Sequence, residues 1–107
     1  MRLLLALLVV FPGSVFASGP VVIPNSILLH GNLATVSRPA VANSWVSAES
    51  NVDGVCRYFG FLRQEAKIPT KLTPIPVPAV VLDETGAVAM DKVFSPHIRR
   101  ITCVASE

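Results

Sequence analysis

The chain has 107 residues and is poor in cysteine, in aromatic side chains and in any excess of charge of one sign. Its formal net charge of +2 is too small for a dedicated nucleic-acid-binding protein, which needs a concentrated basic face against the phosphates. Its two cysteines cannot supply the full ligand set of a cysteine-only zinc site. Hydrophobic residues still make up 51 % of the chain, so a disordered protein is excluded and at most one folded domain is expected.

The one long apolar run lies near the N-terminus. Residues 3–11 are apolar without interruption, Arg2 precedes them with a positive charge, and a Pro-Gly pair follows. A helix of this length spans about 14 Å, against about 30 Å for the bilayer core, so a signal peptide is favoured over a membrane anchor. Cleavage is expected after Ala17. The sequence therefore predicts a secretory signal peptide at residues 1–17 and a secreted or periplasmic mature domain at residues 18–107, with no membrane span.

Both cysteines, Cys56 and Cys103, lie in this mature part and are 47 positions apart. An exported chain reaches an oxidising compartment, where an even number of cysteines favours a disulfide. Closing this loop would contribute about 4 kcal/mol on the chain-entropy model. Free or intermolecular thiols are one alternative. A metal site built from both cysteines with His30 and His97 is the other, although the close ligand pairs of zinc sites are missing. We expect the disulfide, with no metal and no cofactor.

The clearest predicted element is a short helix at residues 51–59. Ser50 is the expected N-cap, and Asp53 stands three residues later in a capping-box arrangement. Gly60 is placed for the left-handed residue of a Schellman cap, with Phe61 packing back on the helix. Apolar residues recur at helical spacing on one face. These residues are Val52, Val55, Cys56 and Phe59.

Strand signals surround this helix. Residues 26–36 and 79–90 each predict a hairpin around a glycine-containing turn, and residues 97–104 predict a last strand that carries Cys103. Trp45 is interpreted as a core residue. The sequence predicts an α+β fold: a small mixed or antiparallel sheet with one short helix, in a single disulfide-bonded domain.

Pro74, Pro76 and Pro78 alternate with apolar residues and favour an extended backbone. Their missing N–H groups exclude the centre of a sheet. Such a segment is a recognition ligand for a groove-binding domain or, the interpretation we favour, an ordered surface crossing or edge strand.

Two segments carry motifs of a known family. Residues 55–61 read V-C-R-Y-F-G-F, and residues 98–107 read I-R-R-I-T-C-V-A-S-E. They resemble the V-C-R-x-L-G-F helix and the L-D-D-V-x-C-x-G-x-E segment of scavenger receptor cysteine-rich domains, and Trp45 is similar to the family's tryptophan before that helix. Arg99 and Arg100 stand where the family has its acidic pair, so the acidic cation-binding potential is missing. The family also has more cysteines, so its disulfide pattern does not carry over.

Candidate catalytic residues are sparse. His30 and His97 are isolated in the sequence, and the adjacent carboxylates Asp83 and Glu84 lie in a predicted turn. No serine or cysteine is placed beside a base, and no phosphate-binding glycine loop occurs. We therefore expect no enzyme and no catalytic residue.

Four arginines form the candidate binding site. If the disulfide joins the helix to the last strand, they could face one side and bind an anionic polysaccharide or an acidic protein surface. The alternative is four solvated side chains, because neighbours on a strand point to opposite faces. The sequence predicts a small exported, non-enzymatic binding module for an envelope or extracellular component. The alternative function is a structural or accessory subunit of a secreted or envelope assembly. The four residues are Arg57, Arg63, Arg99 and Arg100.

Overall fold

A computed structural model of the chain describes residues 23–107, and the predicted signal peptide at residues 1–17 lies outside them. The described residues form one mixed sheet of seven strands with one short helix. The strands are β1 (Ser26–His30), β2 (Leu33–Ser37), β3 (Ala40–Val41), β4 (Ser44–Val46), β5 (Arg63–Gln64), β6 (Lys71–Leu82) and β7 (Val88–Val104), and the helix is α1 (Val52–Tyr58).

The protein is mainly β. Strands hold 55 % of the described residues and the helix 8 %, so the expected α+β class is wrong, although the mixed sheet and the one short helix are as expected. The expectation failed because β7 runs through segments that look like turns in the sequence. Asp91 and Lys92 form a bulge, with Lys92 at φ 60°, and the strand continues through Ser95 and Pro96 instead of beginning at His97.

Strand β7 is the centre of the sheet, whose order is β1-β2-β7-β6-β4-β3, with β5 also paired to β7. All pairs are antiparallel except β4–β6.

Both predicted hairpins are present. Gly31, at φ 62°, begins the two-residue turn between β1 and β2, and Gly86, at φ 89°, lies in the turn between β6 and β7.

The proline segment is the outer part of β6. Among the described strands, β4 pairs with β6 only at Ala79 and Val80, so the three prolines before them lie where β6 has β7 on one side alone. A missing N–H is tolerated on such an edge. The structure therefore places this segment as an edge strand, the second of the two interpretations from the sequence.

Helix α1 begins one residue later than the expected cap implies. The Oδ1 atom of Asn51 accepts a hydrogen bond from the backbone N–H of Gly54 at 2.9 Å, so Asn51 is the N-cap and the assignment to Ser50 is wrong. Asp53 does not complete a capping box, because its Oδ1 atom accepts from the backbone N–H of Gln64 at 2.9 Å. The hydroxyl of Ser50 instead accepts from a backbone N–H of β6.

The predicted C-terminal cap of α1 is confirmed. The backbone N–H of Phe61 donates to the carbonyl of Cys56 at 3.0 Å, and that of Gly60 donates to the carbonyl of Arg57 at 3.0 Å. Gly60 has φ 90°, and Phe61 packs against the hydrophobic core. This pair of bonds is the Schellman pattern.

The hydrophobic core lies between α1 and the sheet, and the predicted disulfide crosses it. Cys56 and Cys103 are joined, with their Cα atoms 5.7 Å apart. Both cysteines are therefore unavailable as the thiolate ligands of the alternative metal site. No helix within residues 23–107 is long and apolar enough to cross a bilayer. The buried core residues are Val36, Val46, Val55, Cys56, Val80, Leu82, Ile98, Ile101 and Cys103.

Candidate functional site

A bulge in β7 brings Arg99 and Arg100 out of the core together. Lys71 pairs with Arg100, and the next residue of β6 pairs with Ile98, so Arg99 is an extra residue in the ladder. An extra residue interrupts the two-residue alternation of a strand. As a result Ile98 and Ile101 are both buried, and the two arginines between them are both exposed. The expectation that neighbouring strand residues point to opposite faces fails at this position.

Two cations from other elements lie beside these arginines. Lys71 of β6 is directly opposite Arg100, and residues that face each other across an antiparallel pair project from the same side of the sheet. Arg38, which follows β2, donates its backbone N–H to the carbonyl of Arg99 at 2.8 Å, while its side-chain Nε donates to the backbone carbonyl of Pro24 at 3.4 Å. All four side chains are exposed. We call Arg38, Lys71, Arg99 and Arg100 the basic cluster.

The basic cluster is not neutralised within the part of the chain that the structure describes. The one salt bridge among residues 23–107 joins Arg63 to Glu107, away from the cluster. Four like charges at neighbouring positions raise the local positive potential, and solvent screens it over about 8 Å at physiological ionic strength. Four of the nine Lys and Arg residues of a chain with a net charge of only +2 thus lie at neighbouring positions of the sheet.

The structure separates the four arginines that the sequence suggested as one patch. Arg57 donates from Nη1 to the backbone carbonyl of Glu84 at 2.6 Å, so it lies against the β6–β7 turn. Arg63 forms its ion pair with Glu107. Neither contact lies in the basic cluster.

The position of Arg63 in the sheet shows how far it is from that cluster. Arg63 lies opposite Val104, which is four residues beyond Arg100 on β7. At strand geometry this is roughly 13 Å along the sheet. Arg38 and Lys71 were missed by sequence reasoning, because only the registers of β2 and β6 on β7 bring them to Arg100, and no local motif marks those registers.

Trp45 takes part in packing rather than in an open platform. Its ring stacks on His97 with 4.5 Å between the centroids and 24° between the planes. Beside them the hydroxyls of Ser47 and Ser95 form a buried hydrogen bond. The Nδ1 atom of His97 is buried without a hydrogen-bond partner among the described residues, and desolvation by burial lowers the pKa of His97. These contacts attach the segment after β3 to β7.

The fold and the site define a class of protein: a small, disulfide-bonded, mainly β domain with an exposed basic cluster on its sheet. Comparisons of the chain with protein-family models, with curated proteins and with solved structures found no match. The resemblance to scavenger receptor cysteine-rich domains therefore stays a prediction.

Proposed function

We propose that this protein is a small exported, non-enzymatic binding module whose basic cluster binds an anionic polymer of the cell envelope or the extracellular surroundings. One observation carries the proposal: the bulge at Arg99 and the registers of β2 and β6 place four exposed cations at neighbouring positions of the sheet, with no salt-bridge partner among residues 23–107. An anionic polysaccharide fits this site better than a compact anion, since the cations lie on an open surface.

The energetics favour a multivalent ligand. A single exposed ion pair is worth about 0.2–1 kcal/mol, so one contact at this surface is too weak to hold a ligand. Four neighbouring cations that contact successive charges of one polymer add their contributions. Such binding weakens as salt is raised, because the charges are exposed and screened.

Export is part of the proposal. The N-terminal pattern from Arg2 to Ala17 supports it, and the disulfide is consistent with an oxidising compartment. N-terminal sequencing of material from outside the cytoplasm is expected to begin at Ser18. Exported protein that begins at Met1 would contradict this.

The binding test uses heparin as a polyanionic probe. The purified protein is titrated with heparin at several salt concentrations, and we expect Arg99→Glu/Arg100→Glu to weaken binding roughly tenfold. The matched control is Arg63→Glu/Lys67→Glu, which changes the net charge equally at exposed positions outside the basic cluster. Circular dichroism checks that each variant is folded.

The control decides between two kinds of binding. If both double variants lose affinity equally, binding follows net charge and the basic cluster is not the site. No binding of the wild-type protein at low salt would also contradict the proposal.

A further inference from the structure

Strand β1 is an edge of the sheet that residues 23–107 leave unpaired. Among the described strands it pairs with β2 alone, and all five of its residues are exposed. Ile27, Leu28 and Leu29 expose 44 %, 70 % and 64 % of their surface. The strand contains no proline, charged residue or bulge, the features that usually block pairing between sheet edges.

The register of the β1–β2 hairpin shows which backbone groups of β1 are free. His30 and Leu33 flank a two-residue turn, so they form a hydrogen-bonded pair. Hydrogen-bonded and non-hydrogen-bonded pairs alternate along an antiparallel ladder, so Leu28 also directs its N–H and C=O groups towards β2. Ile27 and Leu29 therefore direct theirs towards the open edge.

We infer that β1 pairs antiparallel with β1 of a second copy of this chain, about a twofold axis at Leu28. In this register Ile27 lies opposite Leu29 of the second copy and exchanges two hydrogen bonds with it, and the symmetric pair makes two more. Leu28 lies opposite its own equivalent as a non-hydrogen-bonded pair, where side chains are closest.

This register is the one in which β1 is self-complementary. A shift by two residues in either direction also aligns the free backbone groups, but it places Leu28 opposite Ser26 or opposite His30. Only the register centred on Leu28 matches every apolar side chain with an apolar one. Since β1 carries no charge, two identical copies meet without placing like charges opposite each other, although the chain as a whole is positive.

The described residues before β1 do not fold back onto this edge, since residues 23–25 form no turn. The carbonyl of Pro24 instead accepts a hydrogen bond from Nε of Arg38 at 3.4 Å, so the chain enters β1 beside the continuation of β2. Residues 23–107 thus leave this edge unpaired.

The dimer is expected to be weak. A strand of five residues contributes a contact of a few hundred Å² per chain, below the roughly 800 Å² per partner of a standard stable interface. Its population should therefore depend on concentration.

Dimerisation would also place two basic clusters on one continuous sheet face. Arg100 pairs with Ser37, which pairs with Ser26, so these three side chains project from one face of the sheet. Leu28 is two residues after Ser26 and projects from that face as well. The two clusters would lie five strand spacings apart, about 24 Å across the sheet. A polyanion could then bind both at once with increased avidity, a consequence that rests on the proposed function.

The test is sedimentation velocity of the purified protein without polyanion, over a wide concentration range. We expect a shift from monomer towards dimer as concentration rises, and a monomer at all concentrations for Leu28→Lys, because two lysines would face each other at the axis. Phe94→Lys is the matched control, since Phe94 is 72 % exposed on β7, away from the edge, and this variant should dimerise like the wild type.

Charge exchange tests the register itself. A mixture of Leu28→Lys and Leu28→Glu is expected to restore a dimer, because residue 28 lies opposite residue 28. A wild-type protein that stays monomeric throughout would overturn the inference and leave the edge for a strand of a different protein. A dimer that survives Leu28→Lys, or one that the mixture does not restore, would overturn it as well. These results do not depend on heparin binding, so the two proposals can fail separately.

Discussion

The carbonyl oxygen of Asp83 lies where residue 54 would carry its Cβ atom. A Cβ built on Gly54 would be 1.7 Å from that oxygen, so α1 and the β6–β7 turn pack backbone against backbone. Gly86 allows the same contact from the turn, since a Cβ there would lie 2.9 Å from the backbone nitrogen of Tyr58. Two glycines thus determine how closely the helix approaches the sheet.

Gly54→Ala is expected to destabilise the protein by about 3 kcal/mol or more, because backbone atoms must move apart to admit the methyl group. In an ordinary helix the same change stabilises the protein by about 1 kcal/mol. The sign of the change in unfolding free energy therefore shows whether the helix backbone packs against the turn. Urea denaturation measures it. Gly31→Ala is the control, since Gly31 has positive φ but nothing within 4 Å of its Cβ position, and it should cost only about 1–2 kcal/mol. A Gly54→Ala variant as stable as the wild type would contradict the packing described.

Ser50 and Asn51 should differ in the cost of their removal. Asn51→Ala removes the N-cap of α1 and should cost about 1 kcal/mol. Ser50→Ala should cost more, about 1–3 kcal/mol, because the buried N–H of Leu82 donates to the Ser50 hydroxyl at 2.9 Å and would lose its partner. Chemical denaturation of both variants gives the order. A larger loss for Asn51→Ala than for Ser50→Ala would contradict the predicted order.

Reduction of the disulfide is expected to cost about 2–4 kcal/mol of unfolding free energy and to loosen α1 first. The helix is short, whereas the part of β7 around Cys103 is paired with β2 on one side and β5 on the other. Hydrogen exchange with and without reductant, repeated on Cys56→Ala/Cys103→Ala, locates the loosened segment. Earlier exchange in β7 than in α1 would contradict this order.

Stability should fall as pH is lowered from about 7 to 5 because of His97. Burial lowers its folded-state pKa below the ordinary value of 6.5, so between these two values the unfolded chain binds a proton that the folded protein does not. The loss therefore begins near pH 6.5 and is complete below the folded-state pKa. His97→Phe keeps an aromatic ring against Trp45 but does not titrate, and its stability should depend less on pH. Measurements above pH 5 avoid most carboxylate titration. Equal pH dependence in both proteins would contradict the assignment.

The sequence by itself was sufficient for the features that depend on residues close together in the chain. Gly60 and Phe61 form the predicted cap, Gly31 and Gly86 take positive φ in the predicted turns, and the apolar period located α1 to within a residue at each end. The disulfide was also predictable, since only two cysteines occur and one bond joins them. Local backbone preferences decide the caps, the turns and the helix, because contacts from distant parts of the chain do not override them here.

Only the tertiary structure decided the length of β7 and the make-up of the candidate site. Turn-like pairs such as Asp91–Lys92 become bulges when a neighbouring strand supplies hydrogen bonds on either side, so the local signal is overridden. Arg38, Lys71 and Arg100 lie at neighbouring positions because two strands distant in the chain both pair with β7 in particular registers. A register depends on the packing of a whole sheet face, since a slip by one residue would turn every core side chain towards solvent. No short stretch of sequence contains that information.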